Sequence, residues 1–265
     1  MQFAHITSTA SLEDPTGVAF VVPDLRGHGE SDKPAFGYHV ARLAHDVHEL
    51  IQHACGNEKS VALVGTSMGC AIIWSFLELF GHRQVSAVVL VDQAPLQNRA
   101  PDWTLGSNGC YDAESLKRLQ TEVMEDFDAF ARGNAACCLV DAKRLDPALL
   151  DMLVSETKRA SQHALCQLMY DHTQLDHRPL CAATQVPALV LVGRKTQIFP
   201  WQGPAYVGKL MPKATTVVFP EHDHWLYIEE PALFMKLVEC FAQVPEASGL
   251  PSEVSDWLFD AKTQL

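Results

Sequence analysis

The sequence lacks four features that would indicate common classes of protein. It has no apolar run as long as a membrane span, and its first residues lack the basic and apolar blocks of a signal peptide. It has no excess of positive charge, and the net charge of −12 argues against nucleic acid or an anionic membrane as partner. Its eight cysteines show no C-x-x-C spacing and do not resemble a metal or redox motif. These absences favour a cytoplasmic protein in a reducing compartment and leave a neutral small molecule open as substrate.

Short apolar runs rich in β-branched residues alternate with segments of helical period. The runs at 17–22, 61–64, 85–91, 186–192 and 215–219 predict buried strands. Helical periodicity predicts helices at 38–55, 71–80, 204–210 and 231–241. Strands that alternate with helices indicate an α/β fold with a doubly wound, mostly parallel sheet, and 265 residues fit a single domain.

Between about 95 and 183 the pattern is helical only, with segments near 113–132, 147–155 and 156–171. This block is expected to be a helical lid inserted over the carboxyl edge of the sheet, where ligands bind in such folds. The tail, about 245–265, is expected to be a linker with one amphipathic turn at 257–259. Trp103 and Phe127 of the lid either line a pocket or pack within the lid.

The motif Gly65-Thr66-Ser67-Met68-Gly69 joins a predicted strand to a predicted helix. A sharp strand-to-helix turn needs glycines because a Cβ would clash there, and it exposes the Oγ of the central serine at the sheet edge. Ser67 is therefore the candidate nucleophile, and the backbone N–H of Met68 is the candidate donor to a developing oxyanion. A glycine-rich phosphate-binding or packing turn is the alternative interpretation.

Three segments in the same order resemble the α/β-hydrolase superfamily over about 17–241. PDLRGHGESDKP (23–34) resembles the loop after the family's fourth strand, GTSMG its nucleophile elbow, and EHDHWLYIEEPALF (221–234) the segment of its catalytic histidine. The esterase and cofactor-free haloperoxidase branch is the most similar, which implies a serine hydrolase without a cofactor. The resemblance places the catalytic imidazole on His224. His222 is the rival histidine, and a metal site at 222–224 is a further alternative.

The resemblance offers two positions for the acid of a catalytic triad. In the family an aspartate usually stands three residues after the glycine that ends the strand predicted here at 186–192, but this sequence has Thr196 at that position. Some members instead carry the acid at the end of the preceding strand, where this sequence has Asp92. The resemblance therefore implies a triad of Ser67, Asp92 and His224 in the family's order.

The amino-terminal part departs from the family pattern. The family's oxyanion loop, a His-Gly pair after its third strand, would fall just before Met1, and the pair at 28–29 belongs to the following loop. The chain is therefore expected to be an N-terminally truncated α/β-hydrolase with one oxyanion donor instead of two, and with impaired activity. Alternatively, residues 2–7 fill the mid-sheet position of the missing strand.

Together the motifs and the resemblance predict a serine hydrolase that cleaves an ester or thioester of a small to medium apolar acid. The same resemblance suggests a role in secondary metabolism. The expected partner is the small-molecule substrate, with no nucleic acid, membrane, cofactor or metal, and the oligomeric state is not indicated. Two alternatives stay open: a catalytically weak or silent α/β-hydrolase-fold protein, and a lyase or cyclase that reuses Ser67 and His224.

Overall fold

A parallel sheet forms the centre of the protein. The computed structural model describes residues 18–56 and 59–265. Four strands, all parallel, lie side by side in chain order: β1 (Val61–Thr66), β2 (Val85–Val91), β3 (Ala188–Gly193) and β4 (Ala214–Phe219). The register pairs Thr66 with Val91 and Gly193 with Phe219, so the carboxyl ends of the strands meet at one edge. The predicted α/β fold with a parallel sheet is confirmed.

Helices connect and cover these strands. The described residues form eleven α-helices: α1 (Val40–Cys55), α2 (Met68–Phe80), α3 (Ala113–Glu125), α4 (Phe127–Cys137), α5 (Pro147–Lys158), α6 (Gln162–Thr173), α7 (Arg178–Ala183), α8 (Gln202–Leu210), α9 (Leu226–Glu229), α10 (Pro231–Gln243) and α11 (Ala261–Gln264). None of the helices in this described part combines the length and apolar character needed to cross a membrane.

The strands are largely apolar because helices cover both faces of most of the sheet. Val88 and Leu90 of β2 point to one face, where they pack with residues of α1, α2 and α8. Val89 and Val91 point to the opposite face and pack with α9, α10 and part of the region between β2 and β3. The sheet is therefore doubly wound.

The region between β2 and β3 contains α3 to α7 and no strand element. Four of its five helices begin where a side chain accepts a hydrogen bond from a backbone N–H of the first turn: Asp112, Asp126, Asp146 and Ser161 cap α3, α4, α5 and α6. The continuous helix predicted at 113–132 is wrong, because Asp126 ends α3 and its carboxylate accepts a hydrogen bond from the N–H of Ala129 at 2.9 Å.

The strand predicted at 17–22 is also wrong over its described residues. Residues 18–22 form no strand, and Val21 and Val22 are 60% and 44% exposed. A strand needs a neighbour for its ladder of hydrogen bonds, and none of the described strands pairs with this segment. Of the described strands only β2 pairs with β1, and Val64 of β1 is 39% exposed. Residues 2–7, the alternative source of a strand here, lie outside the described residues.

The carboxyl-terminal tail packs against β4, where the sequence suggested a linker. The N–H of Phe259 donates to the carbonyl of Thr216 at 2.9 Å, and Leu258 forms a bridge with Val217. The Trp257 ring lies 5.2 Å from that of Phe219. The aromatic residues that suggested one amphipathic turn therefore anchor the tail to the edge strand.

Candidate active site

Ser67 occupies a strained turn between β1 and α2. Its φ is 51°, a left-handed conformation that is unfavourable for a residue with a Cβ. Its N–H donates to the carbonyl of Val91 at 2.9 Å, so β2 holds the turn in place. A Cβ on Gly65 would lie 2.6 Å from the backbone of Gly69, whereas a Cβ on Gly69 would meet nothing within 4 Å. The sequence predicts that crowding requires glycine at both positions, but the structure requires it only at Gly65.

Asp92 and His224 are brought together at the carboxyl ends of the strands. The Nδ1 atom of His224 lies 2.7 Å from Oδ2 of Asp92, and both side chains are almost completely buried. Asp92 follows β2 directly and also has a left-handed backbone, with φ 46°. A carboxylate in this contact fixes the orientation of the ring and favours the tautomer with the proton on Nδ1, which leaves Nε2 to accept a proton.

Two further groups hold the Asp92 carboxylate. The Thr196 hydroxyl donates to Oδ2 at 2.6 Å, and the N–H of Gly193 donates to Oδ1 at 3.1 Å. Thr196 thus occupies the place of the family's usual aspartate and supports the acid on the neighbouring strand. Sequence analysis identified the position but missed the contact, because only the fold shows that it lies beside Asp92.

The loop that carries His224 is braced by a second carboxylate. The Asp223 side chain accepts hydrogen bonds from the N–H of His224 at 2.7 Å and from the N–H of Gln197 at 2.9 Å. The N–H of Asp223 donates to Glu229 at 2.7 Å. Burial raises the pKa of both carboxyl groups, against the lowering effect of these donors. The bracing fixes the backbone on both sides of the His224 ring.

Ser67 and His224 line one cavity of about 1740 Å³. No hydrogen bond joins these two side chains in the described part of the chain. The Ser67 Oγ instead donates to the Oε1 atom of Gln93, at 3.5 Å. Gln93 is buried, and its Nε2 donates to the side chain of Gln97 at 3.1 Å. The sequence contains no indication that Gln93 contacts Ser67, apart from its position next to Asp92.

Met68 is the first residue of α2 and also lines the cavity. The N–H groups in the first turn of a helix have no intrahelical acceptor and point out at its positive end. The Met68 N–H belongs to this first turn, next to Ser67, and its role as oxyanion donor stays a prediction.

His222 and Trp103, the other residues that the sequence suggested for the site, make contacts outside the Asp92–His224 pair. Nε2 of His222 lies 3.6 Å from a carboxylate oxygen of Glu230, and its ring packs edge-on against Phe219. Trp103 is buried, donates to the Leu96 carbonyl at 3.0 Å and is not among the residues that line the cavity. Within the described ranges, no group of three or more His, Cys, Asp or Glu side chains is arranged to hold a metal ion.

Comparison with known proteins identifies the family. A family described as alpha/beta hydrolase fold matches residues 8–231, most of the chain, and the protein belongs to this family. The chain is 25% identical over 233 residues to AB hydrolase superfamily protein YisY of Bacillus subtilis (strain 168), covering 85% of this chain and 82% of the relative. The expected resemblance is confirmed.

Solved structures show the same fold. An esterase (EaEST) from Exiguobacterium antarcticum superposes with a TM-score of 0.83 at 23% identity, covering 91% of this chain and 87% of that one. A bromoperoxidase from Bacillus anthracis superposes with a TM-score of 0.71 at 18% identity, covering 79% and 78%. The protein is thus similar in fold to this esterase and this bromoperoxidase, and its membership of the alpha/beta hydrolase family supports a hydrolase activity.

Proposed function

We propose that this protein is a serine hydrolase that cleaves an ester or thioester of a small to medium apolar acid. The observation that carries the proposal is the 2.7 Å contact between Asp92 and His224, in the cavity where Ser67 stands on a strained turn. The esterase among the structural neighbours adds support at the level of fold. The cytoplasmic setting and a role in secondary metabolism stay predictions from the sequence.

The proposed mechanism is acyl transfer through Ser67. Nε2 of His224 takes the proton of the Ser67 hydroxyl while Oγ attacks the acyl carbon, and Asp92 stabilises the imidazolium that forms. The Met68 N–H donates to the oxyanion of the tetrahedral intermediate. The imidazolium then protonates the leaving alcohol or thiol. Water hydrolyses the acyl-enzyme by the same proton transfers in reverse.

The wall of the cavity favours an apolar substrate. Apolar atoms form most of its wall, and the region between β2 and β3 contributes Leu119, Val123, Phe130, Leu165 and Met169. The same region also contributes the carboxylates of Glu122, Glu125 and Asp126, which would repel a free carboxylate. Lys59 is the only cationic Lys or Arg among the described lining residues, so a free carboxylate would find few partners there. The volume exceeds that of most small-molecule pockets, which allows a medium-sized acyl group.

One contact favours a second candidate, a catalytically weak or silent member of the family. The Ser67 hydroxyl donates to Gln93 and not to His224. A nucleophile whose proton is directed to an amide oxygen is not activated until it rotates towards the base. A Gln93→Ala variant separates the two candidates. Unchanged turnover supports the main proposal, faster turnover than wild type indicates a site weakened by Gln93, and no turnover in either form indicates a silent site.

The test of the main proposal is turnover of p-nitrophenyl esters with acyl chains of two to twelve carbons. We expect activity that Ser67→Ala abolishes and His224→Ala lowers strongly, with Ser60→Ala as the matched control on an exposed serine. Full activity in Ser67→Ala would contradict the proposal. Phenyl thioesters of the same acids decide between esters and thioesters.

A further inference from the structure

Two adjacent cysteines lie in the wall of the cavity. Cys137 is the last residue of α4 and Cys138 follows it, and both line the cavity that holds Ser67 and His224. Cys137 is partly exposed, whereas Cys138 is 2% exposed. The proposed hydrolysis uses neither thiol.

The two thiols are held together by local contacts. The sulfur of Cys137 lies 3.4 Å from the carbonyl oxygen of Asn134, and the sulfur of Cys138 lies 3.8 Å from the side-chain oxygen of the same residue. A hydrogen bond from the Cys138 thiol lowers the pKa of Cys137 against the opposing effect of burial, and His224 adds to the lowering. Cys137 is therefore the more nucleophilic sulfur of the pair, with a second thiol beside it.

The spacing of this pair suits a bridging atom better than a disulfide. Successive Cα atoms across a trans peptide are about 3.8 Å apart. Most disulfides join Cα atoms about 4.4–6.8 Å apart, so a direct bond between neighbours is strained. A trivalent arsenic atom bonded to both sulfurs closes a ring one atom larger than the ring of a direct disulfide, which relieves that strain.

We propose that Cys137 and Cys138 form a dithiol site for trivalent organoarsenicals, and that its occupation blocks the catalytic cavity. The arsenic oxide condenses with both thiols: two S–H bonds break, two S–As bonds form, and the oxide oxygen leaves as water with both protons. The arsenic stays trivalent. The adduct lies in the cavity wall, and the Cys138 carbonyl accepts a hydrogen bond from the N–H of Trp225 at 2.9 Å, next to His224.

The inference goes beyond the proposed function, since binding of arsenic needs no serine chemistry. The test uses phenylarsine oxide on the full chain, with intact mass and the count of free thiols after denaturation as readouts. We expect one adduct, loss of two titratable thiols, and reversal by 2,3-dimercaptopropanol at concentrations where 2-mercaptoethanol has little effect. Cys137→Ser and Cys138→Ser should each bind about 10²–10⁴-fold more weakly, because the second bond is no longer intramolecular.

Cys55→Ser is the matched control, since Cys55 also lines the cavity and is partly exposed. It should bind the reagent as the wild type does. Unchanged binding in both Cys137→Ser and Cys138→Ser would overturn the proposal. So would an adduct that disappears in Cys181→Ser, since Cys70 and Cys181 are a second neighbouring pair, fully buried in the core. A full adduct with undiminished ester turnover would contradict the blocking of the cavity. Thiol counts test the site even if no ester is hydrolysed.

Discussion

At the scale of single residues, the candidate site depends on the hydrogen bonds around one carboxylate. Asp92 accepts from His224, Thr196 and Gly193, and it is fully buried. A buried carboxylate is costly unless such donors surround it. These contacts therefore explain how a buried carboxylate is stabilised at Asp92, at the end of β2. Thr196, at the position where the family usually has an aspartate, supplies one of the donors.

Asp92→Asn should lower kcat by as much as about 10⁴-fold, the size of the loss where this change was measured in another triad. The amide keeps the shape of the side chain but favours the wrong tautomer of His224. Circular dichroism should show a folded protein with a similar spectrum. A loss below tenfold in a folded variant would show that Asp92 does not serve as the triad acid.

Thr196→Ala should lower kcat by about tenfold, because a hydrogen bond to a charged group contributes about 1.5–3 kcal/mol and part of it is lost in the transition state. This prediction depends on the 2.6 Å contact between Thr196 and Asp92, which the sequence alone does not show. Thr196→Ser keeps the hydroxyl and should restore most of the rate. Equal losses in the two variants would assign Thr196 a packing role only.

At the scale of elements, the sequence predicts the strands and helices whose signal is local. The strands β1 to β4 and the helix after Ser67 follow from short β-branched runs and helical spacing. The segment at 18–22 has the same local pattern but forms no strand, because pairing depends on a neighbour that is distant in sequence. The break at Asp126 likewise reflects a helix cap within a continuous helical pattern. Motif and position predicted Ser67, Asp92 and His224 as candidates, whereas the contacts of Gln93 and Thr196 depend on distances that no spacing encodes.

The turn between β1 and α2 contains two glycines, and substitution of Gly69 is the control for substitution of Gly65. Gly65→Ala places a Cβ 2.6 Å from the backbone of Gly69, so the turn must shift and Ser67 with it. We expect a loss of about 1–3 kcal/mol in the free energy of unfolding, a Tm lower by a few degrees, and strongly reduced turnover. Gly69→Ala meets nothing within 4 Å and should leave Tm unchanged or slightly higher. Similar Tm values for the two variants would contradict this account of the turn.

At the scale of the whole molecule, two buried histidines tie the region between β2 and β3 to the core. Burial lowers the pKa of His172 to about 3 and that of His177 to about 4, and the ring of His177 packs 5.1 Å from that of Trp74 in α2. Both pKa values lie below the ordinary value of 6.5, so the unfolded chain binds more protons than the folded one as pH falls below 6.5. Their contribution to stability is complete above pH 6.5 and is lost progressively towards pH 4 and 3.

The free energy of unfolding should therefore fall on acidification, by roughly 2 kcal/mol for each of these histidines at pH 5. Urea unfolding between pH 7.5 and 4.5 measures the slope. His172→Gln should flatten it, whereas His53→Gln, at an exposed helix position, should not. The raised pKa values of Asp223 and Glu229 make the folded state more stable on acidification, which opposes the effect of the histidines. The test is therefore the difference in slope between the two variants. Equal slopes for the two variants would exclude His172 as a source of the pH dependence.

The central claim is that the whole fold presents one activated serine to its cavity, and labelling with a fluorophosphonate followed by peptide mapping tests it most directly. We predict a single adduct on Ser67, no labelling in Ser67→Ala, and labelling slowed by more than about 10²-fold in His224→Ala. Ser60→Ala should label at the wild-type rate. An adduct on any other residue, or labelling of Ser67→Ala at the wild-type rate, would contradict the assignment of Ser67 as the nucleophile.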